Sequence, residues 1–268
     1  METPFFFPGH DGPLFGFYHQ PVAAEPKVPF VFCHPFAEEK LWTHRVLVSF
    51  ARKLAAHGYG VLRFDYRGNG DSASGFEETS LSTARADLAQ AITWLQEHTG
   101  HSRVSLLGLR LGATIASLAA EDLAIDRLVL WAPIVDGSRY IQEMLRINLA
   151  TQMAVHKEIR KDREQLIAHM KTGGTVSVDG YPIAYPMFEE LTATRLAADP
   201  KRHEGPCLVV QADRPQAKAS PDLQRLATAY PRGAFALVEE EPFWKEIPQF
   251  YQDAANLSSE TIRWLAGL

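Results

Sequence analysis

The sequence predicts an α/β fold, a mostly parallel, doubly wound sheet with an N-terminal antiparallel hairpin and a helical cap insertion. Three observations predict it. Short, continuous apolar runs alternate with longer stretches of helical period. The runs lack the polar–apolar alternation of a one-sided sheet, as strands covered on both faces do. One block between two of them is too long for a loop. With 268 residues, 46% of them hydrophobic, the chain can bury the core of one large domain.

The first strands are PFFF and PLFGFYHQP, separated by the turn sequence PGHDG. Parallel strands follow in VPFVFC from Val28, YGVLRF from Tyr59, RVSLLG from Arg103, RLVLWAP from Arg127, PCLVVQA from Pro206 and AFALVE from Ala234, each expected to be buried on both faces. In STARADLAQAITWLQEH, the spacing of Ala84, Leu88, Ala91, Ile92 and Leu95 makes one apolar helix face. Leu111 to Ala120 is small and apolar, as suits a helix packed centrally on a sheet. SSETIRWLAGL opens with a capping-box pattern at Ser258 or Ser259 and forms the closing helix. Between Gly137 and Pro200 the sequence predicts a long helix (Ser138 to about Met153), a charged helix (about Lys157 to Lys171) and the hairpin TVSVDGYPIAY, turning at Asp179-Gly180. The expected organisation is a core in two parts, residues 1–136 and 201–268, with residues 137–200 as a cap over the sheet's edge.

A formal charge of -5 and a pI near 6.1 argue against a nucleic-acid partner. The one locally basic stretch, HKEIRKDREQ, is interleaved with acids and reads as a solvated helix face. Cys33 and Cys207 sit in apolar strands, as buried free thiols of a reducing compartment would. METPFFFPGHDG has neither the flank of a signal peptide nor the length of a membrane span, so the expectation is a cytoplasmic protein without a membrane anchor. No metal or cofactor motif stands out, and assembly, a homodimer included, is left open.

Three segments carry the chemistry, in a fixed order. FVFCHPFAEEK runs from a strand into a His-Pro loop; VLRFDYRGNGDSAS contains D-x-R-G-x-G-x-S; SLLGLRLGATIAS is a strand, a sharp turn and a helix. This ordered set resembles the α/β-hydrolase superfamily, and the resemblance covers nearly the whole chain. It implies an oxyanion-hole loop at the first segment and a nucleophile elbow at the third. The elbow glycines are Gly108 and Gly112, and the residue between them, where the resemblance implies serine, is Arg110. A guanidinium, permanently protonated, cannot serve as an acyl acceptor. The triad acid belongs after CLVVQA, where Pro215 stands, with Asp213 two residues early. The base belongs after AFALVEEEPFW, yet the chain's last histidine is His203, ahead of both strands. HPFAEEK, GLRLGA, TVSVDGY and EEPFW together resemble more closely the second hydrolase associated with the exosortase A system. That bacterial group belongs to the serine-aminopeptidase-like S33 branch and is linked to exopolysaccharide production and protein sorting.

Arg110 stands at a helix N-terminus, where unpaired N–H groups already favour an anion. It is either paired with a protein carboxylate (Glu38, Glu39, Asp65 or Glu241) or free to hold a ligand carboxylate or phosphate. The candidate pocket residues are His34, Pro35, Phe36, Glu38, Glu39, Arg110, Leu111, Glu241 and Trp244, with Trp42 and Phe243 as further apolar wall. Cys33 beside His34 makes a poor catalytic pair, because adjacent strand residues point to opposite faces. Asp71 and Ser72 read as turn formers. Three functions remain: a non-catalytic protein binding a small acyl or anionic ligand between core and cap, an ester, thioester or amide hydrolase using relocated residues, and a protein-interaction scaffold.

Overall fold

Runs of β-branched, aromatic and leucine residues bounded by turn formers give ten strands among the described residues. The computed structural model describes residues 1–197, 200–245 and 251–268. The hairpin is β1 (Glu2–Gly9) and β2 (Gly12–His19). Then come β3 (Lys27–Cys33), α1 (Glu38–Ala56), β4 (Tyr59–Phe64), α2 (Leu81–Thr99), β5 (Val104–Leu109), α3 (Leu111–Ala119) and β6 (Ile125–Trp131). After the block discussed below, β9 (Cys207–Asp213), α7 (Pro221–Ala229), β10 (Gly233–Glu239) and α8 (Ala255–Ala266) complete the sheet and its cover. The strand order is β1-β2-β4-β3-β5-β6-β9-β10; β1 and β2 are antiparallel additions, and every pair from β4 to β10 is parallel.

The pleat divides the core in two. On one face Val31 and Leu106 pack with α2 and α3 through Leu88, Leu95 and Ile115; on the other Phe30, Phe32, Leu107 and Leu109 pack with α1 and α8 through Phe50, Leu54 and Leu257. The edge strand β10 departs from the expected double burial. Most of its residues are exposed or half-buried, because no strand lies beyond it. The α2 face is buried as its spacing requires, with Ala84, Leu88, Ala91, Ile92 and Leu95 all in the core.

Between β6 and β9 lie α4 (Gly137–His156), α5 (Arg163–Lys171), the hairpin β7 (Val176–Val178) and β8 (Tyr181–Ile183), and α6 (Tyr185–Ala193). The hairpin turns at Asp179 and Gly180, both with positive φ (49° and 89°), as a two-residue primed turn requires. The charged helix begins later than its composition suggests. Lys157 takes a left-handed conformation that ends α4, and the Asp162 carboxylate caps α5. Helix α6 was not expected; Pro186 in its first turn was the available signal. Residues 198–199, at the end of the expected cap, lie outside the described residues.

The closing helix is also corrected. It starts at Ala255, so Ser258 and Ser259 lie inside it and no capping box forms. Its first turn is capped instead by a remote carboxylate: buried Glu240 accepts from the N–H groups of Asn256 (3.0 Å) and Leu257 (3.3 Å) and from the Tyr251 hydroxyl (2.5 Å).

Candidate functional site

A sharp turn needs a residue willing to leave the usual backbone regions, and three adjacent strands each end on one. Ala37 after β3, Arg110 after β5 and Ala132 after β6 have φ of 51°, 55° and 44°. Such residues cost about 1–3 kcal/mol each and gather at functional sites. All three face the carboxyl ends of the parallel strands, where open α/β sheets form their crevices. At the turn from β5 into α3, a Cβ on Gly108 would lie 2.4 Å from Ala113 Cα, and one on Gly112 would lie 2.0 Å from the Cys33 carbonyl oxygen. Only glycine lets the helix sit this close to β3 and β5. Arg110 is therefore the tip of the turn, its N–H donating to the Trp131 carbonyl (3.0 Å) and its carbonyl accepting from Ala113 (3.0 Å).

The guanidinium is paired within the protein. Its Nε and a terminal nitrogen each lie 3.0 Å from Glu39 Oε1, while the Tyr140 hydroxyl donates to Glu39 Oε2 at 3.3 Å. Both side chains of the pair are about one-sixth exposed (17% and 18%), so the interaction is only partly screened by water. The group also lies over the Trp244 ring (5.1 Å) and, further off, that of Tyr140 (5.9 Å). Glu38 and Glu39 form the first turn of α1 rather than a loop, where they complement its helix dipole.

Arg110 borders two cavities. The larger, about 680 Å³, has an apolar wall including Phe36, Trp42, Met144, Ile147 and Val178, and Glu38, Glu39 and Trp244 also line it. The smaller, about 450 Å³, runs toward β9 and includes Asp136, Asp213 and Trp244. The other expected site residues are elsewhere. Leu111 and Pro35 are buried and line neither cavity, and Phe243 is a core side chain. Glu241 pairs with Arg214 (2.9 Å), and Asp65 with Lys40 (2.6 Å). His34 lines a third, separate cavity; its Nδ1 lies 2.6 Å from the Pro35 carbonyl, and burial lowers its pKa to about 3. Ser72 is a turn former, accepting from the Phe15 N–H and donating to the Asp65 carbonyl. Arg67 of the same loop is locked into α2 by Asp87, with both groups buried. Cys33 and Cys207 are buried free thiols, and burial raises the pKa of each.

Residues 24–181 match the serine aminopeptidase S33 family. The chain belongs to that family. Over 111 residues, 40% of this chain, it is 33% identical to Protein ABHD12B of Homo sapiens and 28% identical to lysophosphatidylserine lipase ABHD12 of Xenopus tropicalis. The matched segment spans only 29% and 28% of those proteins' lengths. Est1E from Butyrivibrio proteoclasticus, solved with ferulic acid bound, superposes with a TM-score of 0.68 at 14% identity, covering 98% of this chain and 99% of that one. A putative hydrolase from Agrobacterium vitis S4 gives 0.60 at 17% identity, covering 99% and 98%. The fold is that of an α/β hydrolase, N-terminal antiparallel hairpin included.

Asp213 closes β9 and lines the smaller cavity with Arg110, although its carboxylate is occupied by the Arg214 N–H (2.9 Å) and the Gln211 amide (3.3 Å). Pro215 lies in an exposed turn. No histidine lines either cavity at Arg110. His203 precedes β9, so the length of that strand, roughly 20 Å, separates it from the carboxyl-end crevice. The loop after β10 supplies Trp244 against the guanidinium instead. Among the described residues no cluster of three or more potential metal ligands occurs, and no helix is long and apolar enough to cross a membrane.

Proposed function

We propose that this S33-family chain is a non-hydrolysing member that binds a small acyl ligand in the larger cavity beside Arg110. One observation carries the reading: the elbow tip holds a guanidinium tied to Glu39, and no imidazole borders the same space. A hydrolase needs a nucleophile and a base within hydrogen-bond reach of each other. Without them, an oxyanion site and substrate binding supply about 10³- to 10⁴-fold acceleration over water, against the roughly 10⁶-fold or more of working enzymes. Phe36, Trp42, Met144, Ile147 and Val178 offer an apolar wall for an acyl chain, and α4 with the β7–β8 hairpin acts as the cap. Four carboxylates (Glu38, Glu39, Glu143, Asp179) face two cations (Arg110, Lys245) there, so an acyl ligand fits better than an anionic one, which would have to displace Glu39. Titration with octanamide should change the Trp42 and Trp244 fluorescence saturably, and Ile147→Asp should abolish the change. Stoichiometric labelling of any residue by a fluorophosphonate would overturn the non-hydrolysing reading.

A hydrolase with relocated residues is the second reading, favoured by Asp213 beside the elbow and by the ester chemistry in the names of structural neighbours. It requires turnover of short p-nitrophenyl esters that disappears in Arg110→Ala. The closer kinship with exosortase-associated hydrolases, and a scaffold role in that setting, rests on HPFAEEK, GLRLGA, TVSVDGY and EEPFW. Partner capture unchanged by deleting the Thr175–Ala184 hairpin would count against the scaffold.

A further inference from the structure

A half-buried guanidinium without a carboxylate is costly, and the sheet holds one away from the elbow. Arg63 on β4 has Phe17 of β2 and Phe32 of β3 as its register partners, so the three side chains share one face. Arg63 Nε donates to His19 Nε2 (2.9 Å), its carbon end lies 5.4 Å from the Phe17 ring centroid, and it makes no direct ion pair among the described residues, Glu2 and Asp65 attracting it only from further off. The nearby carboxylates are engaged elsewhere: Glu2 binds Arg52 through both oxygens (2.5 and 3.0 Å), and Asp65 binds Lys40 (2.6 Å). Above this face, under α1, is a cavity of about 270 Å³ walled by Phe15, Phe17, Phe32 and Leu47 together with Arg63; Lys40, paired with Asp65, and the exposed Asp71 also line it, so Arg63 is its one cation without a direct carboxylate partner among the described residues. Phe15 and Phe17 are half-buried, whereas Leu14, Gly16 and Tyr18, which point to the opposite face, are buried. Two phenyl rings are thus left toward an open space beside a guanidinium fork.

We propose that this cavity is a second binding site, for a small aromatic carboxylate. An apolar cavity of roughly 150 Å³ already accepts a benzene ring, and drug-sized ligands need roughly 300 Å³ or more. The volume here suits one ring with a short polar substituent. The Phe walls take the ring, and the terminal nitrogens of Arg63 take the carboxylate as a planar fork. His34 and His44, which border the cavity, are held toward their neutral forms mainly by burial, so they add no positive charge beside Arg63.

Benzoate is the probe, with benzamide as its uncharged counterpart. Calorimetry on the whole chain should give a benzoate dissociation constant of about 1 mM or tighter, with benzamide weaker by about tenfold or more. Leu47 methyl resonances should shift during the titration, while those of Met144 and Ile147 beside Arg110 stay in place. Arg63→Met should remove the preference for benzoate over benzamide, and Arg110→Ala should leave it unchanged. Equal affinity for the two probes, no saturable benzoate binding, or shifts confined to Met144 and Ile147 would overturn the proposal. All three of these outcomes are read on the native protein, so a misfolded variant cannot decide them, and none depends on the acyl-site reading.

Discussion

A methyl group has no room at position 112, since it would press to 2.0 Å from the Cys33 carbonyl. Gly112→Ala should therefore destabilise the chain by about 2–3 kcal/mol in urea unfolding, because the atoms it meets are backbone and cannot swing aside. Arg110 is held by side chains instead. Replacing it with alanine leaves Glu39, about one-sixth exposed, with only the Tyr140 hydroxyl, and should cost about 1–3 kcal/mol. Part of that loss should return in the Glu39→Gln/Arg110→Ala double variant, since no lone charge remains. Arg110→Ser should create no esterase: the new hydroxyl would have no histidine in either adjoining cavity to accept its proton. Burst release of p-nitrophenol by that variant would show that another side chain acts as the base.

Helix ends carry the next set of consequences. Helix α8 has no capping side chain of its own at Ala254 and depends on Glu240 from the far end of β10. Glu240→Ala should cost about 1–2 kcal/mol and raise amide exchange at Asn256 and Leu257, leaving the β7–β8 hairpin unaffected. The Ser258-Ser259 pair lies one turn inside the helix, and neither serine has Glu or Gln three residues on to complete a capping box. Sequence spacing cannot see a carboxylate that arrives through the tertiary fold. Helices α2 and α3 were legible because one spacing rule and one composition rule described them fully. The start of α5 was not, since a left-handed Lys157 interrupts what reads as continuous helical charge.

At the level of the molecule, buried histidines set the acid response. Burial lowers His34 to about 3 and His19 to about 4, both below the value of about 6.5 for an unfolded histidine. Between those limits the unfolded chain binds more protons than the native one, so stability falls as the pH drops from about 6.5 toward 4. Unfolding free energies measured at pH 7 and pH 5 should differ by roughly 2 kcal/mol for each histidine. His34→Gln should flatten that slope; an unchanged slope would mean that the imidazole is solvated. His34, the polar residue the sequence favours for the elbow pocket, faces a different cavity.

The sequence alone determined the succession of the core strands, the glycine-flanked elbow and the lack of any histidine after His203, because these are properties of local period and residue identity. Tertiary structure alone decided which of four carboxylates meets Arg110. Glu39 does so because α1 begins one residue after the Ala37 turn and brings its first turn across the end of β5, whereas Asp65 and Glu241 are drawn off by Lys40 and Arg214. Competition among charges is settled by distance in the folded chain, and distance is not written in residue order.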